Sequence, residues 1–185
     1  MHIDSPGAFL DQFMRQTRMH HVQLSTMADI KANMMLTAAS LVLTFTIKYL
    51  AQPVFQWAAL TLIGFCFLSI VCAIYASMPK LPPRGRAKPD VNNPNFNLLF
   101  FGSFVDLEYE EYERAMEQVC NDHSKVYEVM TREIYTLGRF LALKKYRYLR
   151  WSYQFFLTGL IASGIVLAVT EILASRGVEI WVISL

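Results

Sequence analysis

A chain of 185 residues with 54% hydrophobic and only 17% charged side chains is too apolar and too poor in charge for an ordinary soluble domain. Three cysteines, Cys66, Cys72 and Cys120, with no CxxC pair exclude a disulfide framework and a zinc site, and no metal or other cofactor is expected. The net charge of +2 says little about partners by itself.

In chain order, Ser5-Pro6 reads as a helix start, with Ser as N-cap and Pro in the first turn. From Ala8 the residues Leu10, Phe13/Met14, Thr17, His20/His21, Leu24 and Met27/Ala28 recur every three or four positions. They form one stripe of an amphipathic helix, opposite Asp11, Arg15, Gln16, Arg18 and Gln23. The first 33 residues lack a central apolar core, so no cleavable signal peptide is expected. No Gly or Pro stands between Ala8 and Gln52. The cytosolic helix over 8–33 is therefore expected to continue unbroken into a first span over 34–50. About 17 residues at 1.5 Å rise cover roughly 25 Å, close to a bilayer core. Pro53 suits the start of a second span over 54–78, with Trp57 and Tyr75 near its ends where aromatic belts lie.

The stretch 79–97 holds five of the seven prolines and four basic residues, and 79–105 is expected to be an extended linker. Within it LLFFGSF (98–104) is a short apolar run fit to dock on helices or dip into the membrane interface. Asp106 is a candidate N-cap for a helical segment over 106–150. Asn121-Asp122-His123-Ser124 is expected to divide that segment, with Ser124 capping the second helix. A third span over 153–173 and an outer tail over 174–185 follow. Three of the Lys and Arg residues precede the first span and twelve lie between spans two and three, so fifteen of seventeen share one side. The positive-inside rule makes that side cytosolic, with the N-terminus inside and the C-terminus outside.

The first span is not uniformly apolar. Ser25, Asp29, Asn33, Thr37, Ser40, Thr44 and Lys48 follow at steps of three or four, a polar stripe down one face. It reads either as a pore lining in an oligomer or as hydroxyls bonding neighbouring helices and their own backbone. Gly159 and Ser163, Gly164 and Ala168, and Gly64 and Ser69 are small residues suited to close helix contact. Lys48 and Glu171 are expected to pair near the outer boundary. The run Lys144, Lys145, Arg147, Arg150 reads as anionic headgroup contact or as a grip on the phosphate of a small nucleotide. Asp29 and Lys31 either snorkel or meet charged faces of the returning helices. His20 and His21 cannot share one helix face, His2 and His123 have no ligand spacing, and no P-loop, GxGxxG or nucleophile elbow occurs. No enzyme activity and no nucleic-acid partner are expected.

MADIKANMMLTAASLVLTF (27–45), MPK (78–80), NLLFFGSF (97–104) and YEVMTREIYTLGRFLALKKYRYLRWSY (127–153) together resemble the transmembrane effectors of Pycsar systems, the pyrimidine-cyclase anti-phage systems of bacteria. The matching positions are Ala28, Asp29, Lys31, Ala32 and Asn33; Asn97, Phe100, Phe101 and Gly102; and Tyr135, Gly138, Lys144, Lys145 and Tyr146. Ile30 stands where the family carries Gln. The resemblance implies that a partner cyclase makes a cyclic pyrimidine nucleotide, cCMP or cUMP, on infection. The effector then impairs the inner membrane and stops the infected cell by abortive infection. No cyclic-nucleotide β-roll pattern lies between the spans, so a binding site would be built by helices, linker or another subunit.

The expectation is thus an all-α membrane protein: three transmembrane helices with a cytosolic helical bundle formed by extensions of the spans. It is expected to be a homo-oligomer in the bacterial inner membrane. Candidates for ligand binding or gating are Asp29, Lys31, Asn33, Asn97, Phe101, Lys144, Lys145 and Arg147. The pore-stripe candidates are Thr37, Ser40, Thr44 and Lys48. The alternative is a passive membrane adaptor whose cytosolic helices dock a partner protein.

Overall fold

A computed structural model describes residues 3, 6–79, 89–91, 93 and 96–177. Helix accounts for 84% of these residues, and no strand occurs among them, as the all-α expectation requires. The elements are α1 (Ala8–Ile47), a 3-10 turn (Lys48–Ala51), α2 (Gln56–Ser77), α3 (Phe101–Phe104), α4 (Tyr109–Cys120), α5 (His123–Phe140), a π-turn (Leu141–Tyr146) and α6 (Arg147–Ser175). Three stretches are long and apolar enough to cross a membrane: Ala8–Ala51, Gln56–Ser77 and His123–Ser175. The expected Ser5 cap, twelve residues of the linker (80–88, 92, 94 and 95) and the end of the tail (178–185) lie outside the described residues.

The chain divides into two compact units, Met1–Ser25 with Pro79–Ala142, and Thr26–Met78 with Leu143–Leu185. In the second unit α2 and α6 run antiparallel. Ser69 faces Ser152, Phe65 faces Gly159, and Tyr75 faces Tyr148. The serines interlock: Ser69 Oγ donates to the Ser152 carbonyl at 2.8 Å and Ser152 Oγ to the Ser69 carbonyl at 2.9 Å. Both side chains are fully buried, so each hydroxyl is satisfied across the contact. Of the small residues singled out in these spans, Ser69 and Gly159 sit at the contact, while Gly64 and Gly164 face open space. A Cβ on Gly159 would come within 2.5 Å of Phe65 Cβ, so only glycine lets the two backbones approach this closely.

Helix α1 ends at Ile47 because the chain tightens into the 3-10 turn. Gln52 then accepts from the amides of Phe55 and Gln56 at 3.1 and 2.9 Å, which starts α2 around Pro53. At the far end Met78 turns extended ahead of Pro79, as a residue preceding proline does. No helix start marks residue 153, since α5, the π-turn and α6 follow one another without a gap.

In the first unit α4 packs on α5 around Phe96, Leu98 and Ala115, with Phe104, Leu107, Tyr112, Met116, Val119 and Val129 closing the cluster. The apolar run 98–104 therefore docks on helices: the Phe104 and Tyr112 rings meet tilted at 4.8 Å, and the segment contains α3. Two cap expectations are corrected. Leu107 N–H bonds the Phe104 carbonyl at 2.9 Å, which holds Asp106 in the turn after α3, and α4 starts at Tyr109 with Glu110 and Glu111 near its positive end. The break at 121–124 is where expected, but Asp122 is the cap. Its carboxylate accepts from the amides of Ser124 and Lys125 at 2.9 and 3.4 Å.

Gly159→Ala is expected to destabilise the protein by about 1 to 3 kcal/mol through overpacking. Gly164→Ala, with nothing near its Cβ, is expected to be neutral or to stabilise by up to about 1 kcal/mol through helix propensity. Thermal unfolding of the two variants in detergent measures the difference.

Candidate functional site

Where α1 meets α2 and α6, four small or branched residues, Ala28, Ala32, Ala76 and Leu149, form a buried cluster with Tyr146 and Tyr148 against it. Alanines at i and i+4 of α1 leave no side chain to hold the helices apart. Beside this cluster Lys145 Nζ donates to both carboxylate oxygens of Asp29, each at 2.6 Å. The lysine side chain is 13% exposed and the aspartate 39%. The lysine side chain is therefore largely removed from water, and the carboxylate gives its ammonium a charged partner there. Lys145 lies in the π-turn, whose wider ring marks functional positions in many helices.

Aromatic rings surround the same level. Tyr75 stacks on Tyr148 at 5.8 Å, Tyr148 meets Trp151 edge-on at 6.1 Å, and the Arg147 guanidinium lies 5.1 Å over Trp151. Tyrosine and tryptophan at this height match a membrane-interface belt, and exposed Lys144 and Arg147 suit the headgroup layer.

Lys31, Asn33, Thr37, Ser40, Thr44 and Lys48 are all exposed. The opposite face of α1, at Ala28, Ala32, Met35 and Ala39, is the packed one. Thr37 Oγ1 donates to the Asn33 carbonyl at 3.0 Å and Thr44 Oγ1 to the Ser40 carbonyl at 2.9 Å, so these hydroxyls satisfy themselves on their own helix. The expected Lys48–Glu171 pair is corrected. Among the described residues no ion pair joins them, because Lys48 opens the 3-10 turn and its ammonium lies 5.0 Å over the Tyr49 ring.

Asn97 and Phe101 belong to the first unit and differ from each other. Asn97 is buried, donates to Thr136 Oγ1 at 2.9 Å and accepts from the Leu99 amide at 3.1 Å, which turns the chain into α3. Phe101 is exposed. Sequence reasoning missed the contacts that bind the start of α1 to α5. Tyr127, itself buried, donates to Asp11 Oδ1 at 2.6 Å. Arg18 Nε donates to Glu133 Oε1 at 3.0 Å, and the His21 ring approaches the Cβ position of Gly138 at 3.4 Å. These partners are separated by 116, 115 and 117 residues, so α1 and α5 run parallel. No local pattern announces a partner that far along the chain. Arg132 also ties in the linker exit, donating to the Phe96 carbonyl and to Glu128, each at 3.1 Å.

An open cleft of about 340 Å3 in the first unit is bordered by Asp90, Glu111, Arg114 and Gln118, a polar wall able to hydrogen-bond a small ligand. Among the described residues no group of three or more His, Cys, Asp or Glu is placed to hold a metal ion.

Neither a curated protein nor a solved structure matches the chain. Residues 12–170 match PycTM, the Pycsar effector protein domain, a transmembrane effector domain and not a known family of enzymes. That stretch takes in α1 from its second turn, all of α2, α6 up to its last five residues, and the Asp29–Lys145 pair. The chain accordingly belongs to the family of Pycsar anti-phage effectors, carried in a membrane by its apolar helices.

Proposed function

We propose that this protein is the inner-membrane executioner of its defence system, acting without catalysis of its own. A cyclic pyrimidine nucleotide, cCMP or cUMP, made by a partner cyclase on infection triggers it. Its response impairs the membrane and ends the infected cell's growth before phage are released. The family match over residues 12–170 carries this reading. The distribution of Lys and Arg supports a cytosolic N-terminus and an outer C-terminus.

In this reading the protein acts as a homo-oligomer, since three spans cannot enclose a pore. The nucleotide, or a partner protein that has bound it, biases the packing of the cytosolic helices between two arrangements. Gating candidates are Asp29, Lys31, Asn33, Lys144, Lys145 and Arg147 at the junction, with Asn97 and Phe101 in the first unit. The Asp29–Lys145 pair serves as the latch. It is the contact that must be remade if α1 moves against α6, and it holds a charge that water would otherwise solvate. The exposed stripe of Thr37, Ser40, Thr44 and Lys48 then lines the path that opens.

Membrane potential and dye uptake, followed in infected cells carrying the protein and its cyclase, test the reading. Depolarisation that requires both proteins is expected; an unchanged potential through lysis would overturn it. Replacing Thr37, Ser40 and Thr44 together by Leu is expected to abolish the leak while leaving the protein in the membrane. A leak that survives the triple variant removes the stripe from the mechanism, whereas a passive adaptor would protect equally well with or without it.

Charge reversal tests the latch. Asp29→Lys or Lys145→Asp alone is expected to shift the inducer level needed for depolarisation, and the swapped pair to restore it. The coupling in a double-mutant cycle should be about 1 to 2 kcal/mol, between an exposed and a buried pair.

A further inference from the structure

One face of α1 mixes exposed phenylalanines with polar residues in its aqueous stretch and exposed hydroxyls with apolar residues in its apolar stretch. Phe13, His20, Met27, Met34 and Leu41 stand seven residues apart, and all are exposed in the single chain. Phe9, Gln16, Gln23, Ile30, Thr37 and Thr44 form a second row, also seven apart, and all are exposed too. The rows alternate at steps of four and three, the a and d positions of a left-handed coiled coil. In the aqueous stretch this face leaves Phe9 88% and Phe13 57% exposed. In the apolar stretch it presents Thr37 and Thr44 outward. The face packed within the chain, at Met14, Ala28, Ala32, Met35 and Ala39, is a different one.

We infer that this seam is the interface between copies of the chain, a parallel α1–α1 coiled coil about the axis of the oligomer. The inference rests on the oligomeric reading above and names its contact surface. A single occupant must cover apolar groups in water and polar groups in lipid along one unbroken helix. A soluble partner cannot follow the seam into the bilayer, and a generic membrane helix lacks the aqueous half. A second copy in the same membrane has the same orientation and sets Phe9, Ile30, Thr37 and Thr44 opposite their own kind at each level. Charge permits this symmetry. Between Phe9 and Thr44 neither row contains Asp, Glu, Lys or Arg; Asp11, Arg15, Arg18 and Asp29 lie on other rows, and Lys31 alone flanks the seam. Polar residues at core positions of a coiled coil fix register and strand number at a cost in stability, which suits an assembly that must rearrange.

Single cysteines test this in resting membranes, without cyclase or phage, in a chain carrying Cys66→Ala, Cys72→Ala and Cys120→Ser. Bis-maleimide cross-linking to dimer or higher is expected for Phe13→Cys, Met27→Cys and Met34→Cys. It is not expected for Arg15→Cys or Val22→Cys, which are exposed but off the seam. Equal cross-linking at all five positions, none at any, or products with a different protein alone would overturn the inference. Native mass spectrometry of the full chain is the second measurement: the multimer of the unmodified protein should fall to monomer with Phe13→Gln, Met27→Gln and Ile30→Gln combined. A monomeric unmodified protein, or an unchanged multimer in the variant, would also overturn it. Depolarisation that persists in a protein failing these tests rejects the seam and keeps the effector reading; intact cross-links without depolarisation do the reverse.

Discussion

Lipid offers no hydrophobic drive to push one apolar helix against another, so the spans of this protein hold together only where their backbones come very close. Gly159 under Phe65, the reciprocal Ser69–Ser152 bonds, and Ala28, Ala32 and Ala76 around Leu149 are the places where they do. Each is a small side chain at a contact, and at the serine pair the polar group given up by water is returned by the opposite helix. Beside those alanines the Lys145 ammonium reaches both oxygens of the Asp29 carboxylate at 2.6 Å.

The first unit is held together by different groups. Its core is an ordinary apolar cluster around Phe96, Leu98 and Ala115, and its buried polar groups order the chain rather than hold it in a bilayer. Asn97 turns the linker into α3, Arg132 anchors the residue before it, and Asp11, Arg18 and Glu133 add charged contacts between α1 and α5. The open cleft by Arg114 lies in this unit, while the half-buried charge pair lies in the other. That division separates a polar surface able to meet a small ligand from the charge pair proposed to latch the junction.

Helix α1 is shaped by what its faces lack. One face is alanine-rich and packed. Another carries hydroxyls in the apolar stretch and phenylalanines in the polar one, and Phe9, Phe13, Thr37 and Thr44 on it are exposed. Thr37 and Thr44 reduce the cost in lipid by bonding carbonyls of their own helix, and such hydroxyls keep the ability to bond elsewhere without breaking that helix.

Much of this architecture was legible in the residues themselves. Forty positions without Gly or Pro produce α1, apolar runs of helical length produce the spans, and the break near Asp122 follows from local capping chemistry. Backbone propensity and solvent partition act on neighbours in sequence, which is why one chain sufficed to read them. Partnership was not local. Of the candidate residues at the junction, Asp29 found Lys145, 116 residues away, while Lys31, Asn33, Lys144 and Arg147 stayed in the open; Lys48 turned to Tyr49 and left Glu171 unpaired with it. Gly159 and Gly164 look alike in sequence, yet only one lies under a neighbouring helix. The amino-acid order by itself determined that the chain is helical, that it has stretches apolar enough to enter a membrane, and that α1 runs unbroken from its amphipathic half into its apolar half. Which charge is neutralised, which small residue is a contact and which face of α1 is left bare were decided only by tertiary structure, because each depends on helix rotation and distance between segments that no spacing along one chain encodes.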